Sequence, residues 1–165
     1  MAQQEPPRQG CTGGLERERA RGYAVAMWAL CLLFAARVGG QAVQLWLPQS
    51  FLPPFHALQG SDLPYWLLLC AQLAILALMA RLAWRVQLGV QTPRRHLGNR
   101  LAWAGGIYLA GSLARLAVGL AVPSAPGWFK TWIPGVFHLV LAAFLLVAAA
   151  YHRQEPRLLP REEQA

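Results

Sequence analysis

WALCLLFAARVGGQAVQLWL, residues 28–47, is apolar along its length yet carries an arginine, Arg37, at its middle. LAWAGGIYLAGSLARLAVGLAV, residues 101–122, has the same character around Arg115. A bilayer core is crossed by about 20 apolar residues of helix. An ionisable residue near its centre costs roughly 2.5–3.5 kcal/mol on insertion scales, so such residues mark functional positions by default. These two stretches set the fold class, an all-α integral membrane protein, and pose its main question: what the arginines pair with.

The rest of the chain agrees. Of 165 residues, 56% are hydrophobic and 13% charged, against about 25% charged in soluble domains. Four stretches are long enough to span: 23–47, 63–86, 101–122 and 133–152. Pro48 and Pro123 close the first and third, because proline cannot continue a helix ladder. Pro64 and Pro134 stand in the first turn of the second and fourth, where a missing N–H is harmless. The expectation is a four-helix transmembrane bundle over 23–152. Residues 1–22 read as a disordered polar tail and 153–165 as a second tail. Residues 1–22 are too polar for a cleavable signal peptide.

Net charge is +8, but the basic residues gather at the ends of apolar runs rather than on one polar face. That distribution argues for topology and against nucleic acid. Arg8, Arg17, Arg19 and Arg21 precede the first span; Arg81, Arg85, Arg94, Arg95 and Arg100 flank the turn between the second and third; Arg153, Arg157 and Arg161 follow the fourth. Lys130 is the one basic residue in the opposite loops. Both termini are therefore expected in the cytoplasm, in a multi-pass protein of the plasma (inner) membrane. Trp46, Trp66, Trp128 and Trp132 group at one boundary and Trp84 and Trp103 at the other, the headgroup levels that indoles favour; Trp28 falls inside a span. The basic turn TPRRHLGNR, residues 92–100, suits anionic headgroups on the cytoplasmic face.

The first and third spans look alike. Each arginine lies 14 residues after the start of its span, at Tyr23 and Leu101. The second span begins LPYWLLL and the fourth IPGVFHLVL. The chain thus reads as two parallel helical hairpins of one design, related by an axis along the membrane normal.

Residues at i, i+4 and i+7 share a helix face. Arg37, Gln41 and Gln44 have that spacing, as do Tyr108, Ser112 and Arg115. Gln72 on the second span and His138 on the fourth lie at similar depth. Polar groups in hydrocarbon must find partners or water, so the eight are expected to converge, with the first and third spans as neighbours. No carboxylate lies within any span, since the seven acidic residues are Glu5, Glu16, Glu18, Asp62, Glu155, Glu162 and Glu163. The arginines must then snorkel to headgroups, bond carbonyls and amides, or hold an acid from a lipid, cofactor or partner. Guanidinium suits the last because its planar fork pairs bidentately with carboxylate and phosphate.

No catalytic dyad or metal spacing is present in the sequence, and no cofactor is expected. Cys31 and Cys70 fall in apolar runs and read as packing residues. His138 reads as an ordinary hydrogen-bonded histidine, with axial ligation of haem as an alternative. The proline-rich loop PQSFLPPFHALQGSD, residues 48–62, is expected either to hug the membrane surface or to form a lid over an outward-facing cavity. The sequence leans toward a non-enzymatic accessory or assembly subunit, alone as a homo-oligomer or among other membrane subunits. The alternatives are an enzyme or carrier that binds an amphipathic acid, lipid or quinone, and a b-type haem protein.

Overall fold

The computed structural model describes residues 10–52, 54–59, 63–122, 124, 129 and 132–154. Among these residues five helices follow in order: α1 (Gly10–Trp46), α2 (Phe55–Gln59), α3 (Tyr65–Gln87), α4 (Arg95–Ala121) and α5 (Trp132–Arg153). No strand occurs among the described residues. The four longer helices are each long and apolar enough to cross a membrane, so the protein is a small four-helix integral membrane protein. Leu32, Leu78, Ile107 and Leu120 are among many large apolar side chains that face outward, the pattern of a bundle solvated by lipid.

Local chemistry sets the helix ends. The first helix starts at Gly10, well before the apolar run at Tyr23. Residues 15–21, LERERAR, are almost all strong helix formers, so the helix continues past the hydrophobic stretch. Helix α3 ends in a Schellman motif. Val90 N–H bonds the Arg85 carbonyl and Gly89 N–H the Val86 carbonyl, each at 3.1 Å. Gly89 takes the left-handed φ of 69° that this motif requires. After α4, Val122 is extended, at φ −111° and ψ 103°, as a residue before proline is confined to be.

Buried residues on α1 recur in steps of three and four: Ala24, Met27, Cys31, Phe34, Val38, Gln41. That is a heptad seam. It packs against Met79, Ala83 and Val86 of α3 and against Phe144, Ala148 and Tyr151 of α5. Cys31 belongs to this core, whereas Cys70 lies on the exposed outer face. The buried positions of α4 are Gly98, Gly105 and Ser112, seven residues apart. Small residues at that interval let α4 approach α5 closely.

The helix order around the bundle is therefore α3, α1, α5, α4. This corrects the expectation that the first and third spans are neighbours: α4 docks on α5 through its glycine seam and barely touches α1. It also breaks the symmetry of the two hairpins. The α1–α5 contact has no counterpart of similar extent between α4 and α3.

The end of the bundle opposite α2 is latched. Tyr151 Oη–H donates to the Gln91 carbonyl. Arg94 N–H donates to His152 Nδ1 at 3.3 Å, and Arg153 Nε–H to Asn99 Oδ1 at 2.9 Å. Trp28, the tryptophan placed inside a span, donates its indole N–H to Gln87 Oε1 at 2.7 Å, and so satisfies its polar edge.

The glycine seam makes the neighbour relation testable. A Cβ at Gly105 would lie 3.1 Å from Leu145 Cβ, close to disulfide reach at about 3.5–4.5 Å. Cysteines at Gly105 and Leu145 should crosslink, and a pair at Gln41 and Ser112 should not. Gly98→Ala should lower thermal stability by about 1–3 kcal/mol, because the new methyl meets backbone of His152 and Arg153 at 3.0 Å. Gly106→Ala meets nothing within 4 Å and should be neutral or stabilising by up to about 1 kcal/mol.

Candidate functional site

Arg37 and Gln41 continue the buried seam of α1 one turn apart, at 8% and 0% exposure. Their partner is a backbone carbonyl in the loop after α1. Arg37 Nη2–H donates to the Leu58 carbonyl at 3.1 Å, and Gln41 Nε2–H donates to the same oxygen at 2.8 Å. Arg37 Nη1–H also reaches Gln41 Oε1 at 3.3 Å. A carbonyl oxygen has two lone pairs, so one acceptor serves both side chains. The guanidinium carbon stands 5.3 Å from the centre of the Phe137 ring, within cation–π range. Arg37 Nε is buried without a hydrogen-bond partner.

This arrangement draws α2 into the bundle. Leu58 is buried, and α2 contacts both α1 and α5. Gln41 lies five residues and Arg37 nine before the end of α1 at Trp46, so the Leu58 carbonyl sits roughly 7–13 Å below that end. Gln59, at the end of α2, lines part of the cavity below. Phe55 packs edge-on against Tyr65, centroids 5.2 Å apart. Phe51 remains exposed.

Below α2 lies a cavity of about 340 Å³ between all four long helices. Phe34 and Arg37 of α1, Gln72 of α3, Tyr108 and Arg115 of α4, and Phe137 and His138 of α5 line it, with Gln59 at the loop side. Counted from the ends of their helices nearest α2, Arg37, Gln72, Arg115 and His138 lie six to nine residues deep, or roughly 9–14 Å. Gln72 is 5% exposed, and its Oε1 has no hydrogen-bond partner. His138 Nδ1 bonds the Pro134 carbonyl of its own helix. A carbonyl only accepts, so Nδ1 carries the proton, and in the neutral ring Nε2 is the acceptor. The Tyr108 and His138 rings are 5.8 Å apart.

Five of the eight sequence-selected polar residues thus meet around one cavity: Arg37, Gln72, Tyr108, Arg115 and His138. Gln41 is fully buried beside it, on the Leu58 carbonyl. Gln44 faces elsewhere: its Oε1 accepts the Gln49 N–H at 2.9 Å and secures the turn after α1. Ser112 belongs to the α4 packing seam and donates to the Tyr108 carbonyl at 2.7 Å. Asp62 and Lys130 lie outside the described residues. Two participants were not singled out from the sequence. Phe137 could have been, as an aromatic beside His138 at the depth of Arg37. The Leu58 carbonyl could not, because a backbone acceptor has no signature in residue type.

Chemically, the cavity offers guanidinium donors, a buried amide oxygen and an imidazole lone pair in apolar walls. No group of three or more metal-capable side chains occurs among the described residues. In comparisons with known proteins, the chain matches no family, no curated protein and no solved structure.

The carbonyl clamp predicts the behaviour of the loop. In a background free of native cysteines, Leu58→Cys should react slowly with an impermeant maleimide and Phe51→Cys rapidly. Adding Gln41→Leu removes one hydrogen bond of about 1 kcal/mol, and labelling at position 58 should rise roughly five-fold. Unchanged labelling would mean that the clamp does not hold α2.

Proposed function

We propose that this integral membrane protein binds the acidic head of an amphipathic molecule in the cavity below α2. The observation that carries this reading is Arg37. It is a guanidinium more than nine-tenths buried at membrane depth, beside an open cavity, with a donor still unpaired. A buried cation without a carboxylate keeps a strong drive to acquire one, because charge-assisted hydrogen bonds are about twice as strong as neutral ones. Arg115, across the same cavity, adds a second cation. The volume is at the lower end of ligand cavities. It suits a head group whose apolar part runs out through the seam between α3 and α4, which barely touch.

The basic flanks favour an orientation with both termini in the cytoplasm, so the cavity belongs to the outer half of the bilayer. Reporter fusions at Gln91 and at the C-terminus should read cytoplasmic, and fusions at Gln59 and Ser124 external. A cytoplasmic signal at Gln59 would reverse the cavity's side.

The role of an accessory subunit uses the same chemistry, with a partner's Asp or Glu in place of the ligand's acid. Native mass spectrometry of the full chain in mild detergent separates the two. The proposed function expects one molecule of phosphatidic acid retained over phosphatidylcholine at equal concentration, roughly ten-fold if one charge-assisted contact decides. Arg37→Gln with Arg115→Gln should erase the preference. Arg115→Lys should restore little of it, because lysine lacks the bidentate fork. A co-purifying protein lost in the same double variant would support the subunit reading, and a Soret band lost in His138→Phe would support haem. Equal retention of both lipids would overturn the proposal.

A further inference from the structure

The cations are half of the cavity's chemistry. Its acceptors are Gln72 Oε1, buried and unpartnered, and His138 Nε2, left open because Nδ1 is committed to the Pro134 carbonyl. Both residues line the same cavity as Arg37 and Arg115. A bare acid pairs with guanidinium but brings no donor for either acceptor, and it adds negative charge in front of them. A buried acceptor without a donor costs the desolvation of that group. Water could supply donors, since the cavity is roomy and polar, but water would be displaced by any bound head.

We infer that the occupant carries a hydroxyl beside its acidic group, which donates to Gln72 and His138 while the acid meets Arg37 and Arg115. This rests on the proposed acid-binding function and narrows its ligand class to hydroxylated acidic amphipaths. Phosphoglycerol heads and hydroxylated fatty acids share that chemistry. Discrimination of this kind is strong in principle, because a site with buried polar groups rejects the analogue that lacks the matching hydroxyl.

The test is competition on the full-length protein by native mass spectrometry, with probes matched in chain length. An equimolar mixture of dioleoyl phosphatidylglycerol, phosphatidic acid and phosphatidylcholine is one arm. A hydroxylated and a plain tetradecanoate form the other. The expected result is retention of the hydroxylated member over its plain acidic counterpart by about five-fold or more in at least one arm. The arm that shows it identifies phosphate or carboxylate as the acid. Gln72→Met, close in shape, should bring the hydroxylated and plain acids level while both still exceed phosphatidylcholine. If that variant does not fold, His138→Phe should have the same effect. Equal retention within both acidic pairs in the wild type, with both phospholipid acids above phosphatidylcholine, overturns the hydroxyl inference and leaves acid binding standing. Persistence of the preference in both variants also overturns it. Failure of both phospholipid acids to exceed phosphatidylcholine, with neither tetradecanoate retained, removes the acid-binding reading itself.

Discussion

One carbonyl oxygen, that of Leu58, accepts hydrogen bonds from both Arg37 and Gln41. Much of the architecture on that side of the bundle follows from it. A guanidinium at this depth is costly without partners, and the spans contain no carboxylate. The chain answers with backbone. To bring a carbonyl that far in, the loop after α1 must fold back as α2, and α2 then stands between α1 and α5 at the mouth of the bundle. The same geometry that satisfies Arg37 Nη1 and Nη2 leaves Nε over, so the arrangement solvates the charge in part and does not neutralise it.

The bundle accordingly has two halves of different character. Away from α2, the seam of α1 meets α3 and α5 through Met27, Cys31, Met79, Ala83 and Ala148. That region has an apolar core, and Tyr151, His152 and Arg153 tie its end to the α3–α4 turn. Towards α2, the same seam changes to Arg37 and Gln41, and the helices part around a cavity. Polar side chains on rigid helices are held more accurately than on loops, and here the cavity's cations and acceptors all project from the long helices.

The spans were legible in the sequence because each carries its own signal: length, hydropathy and a proline at the boundary. Polar positions were legible for a related reason, since a glutamine or arginine in hydrocarbon stands out by type. The relation between helices was not. Glycines occur along α1 and α4 alike, yet Gly39, Gly40, Gly106 and Gly111 have no close neighbour while Gly98 and Gly105 meet α5. Residue type marks both sets equally; only the seven-residue interval of Gly98, Gly105 and Ser112 distinguishes the true seam. Ser112 is the small residue of that seam, its hydroxyl bonded within its own helix to the Tyr108 carbonyl. Helix α1 likewise begins before its apolar span. Hydropathy reports where a helix enters lipid, whereas propensity carries it on through the charged residues before Tyr23.

The internal likeness of the two hairpins bears on why a cavity exists at all. Two identical hairpins related by an axis along the membrane normal would make two equivalent inter-hairpin contacts. Here α1 meets α5, but α4 and α3 remain apart. The seam of α4 is used up on its own hairpin partner, leaving Tyr108 and Arg115 on the side that faces the gap. On the α3 side of that gap, Gln72 is a polar group where an apolar one would close the contact. Closing the gap would take the Arg115 guanidinium deeper, at a desolvation cost. The open seam is thus a consequence of which residues were placed there, and the charge that makes it costly to close is the charge on which the proposed acid binding rests.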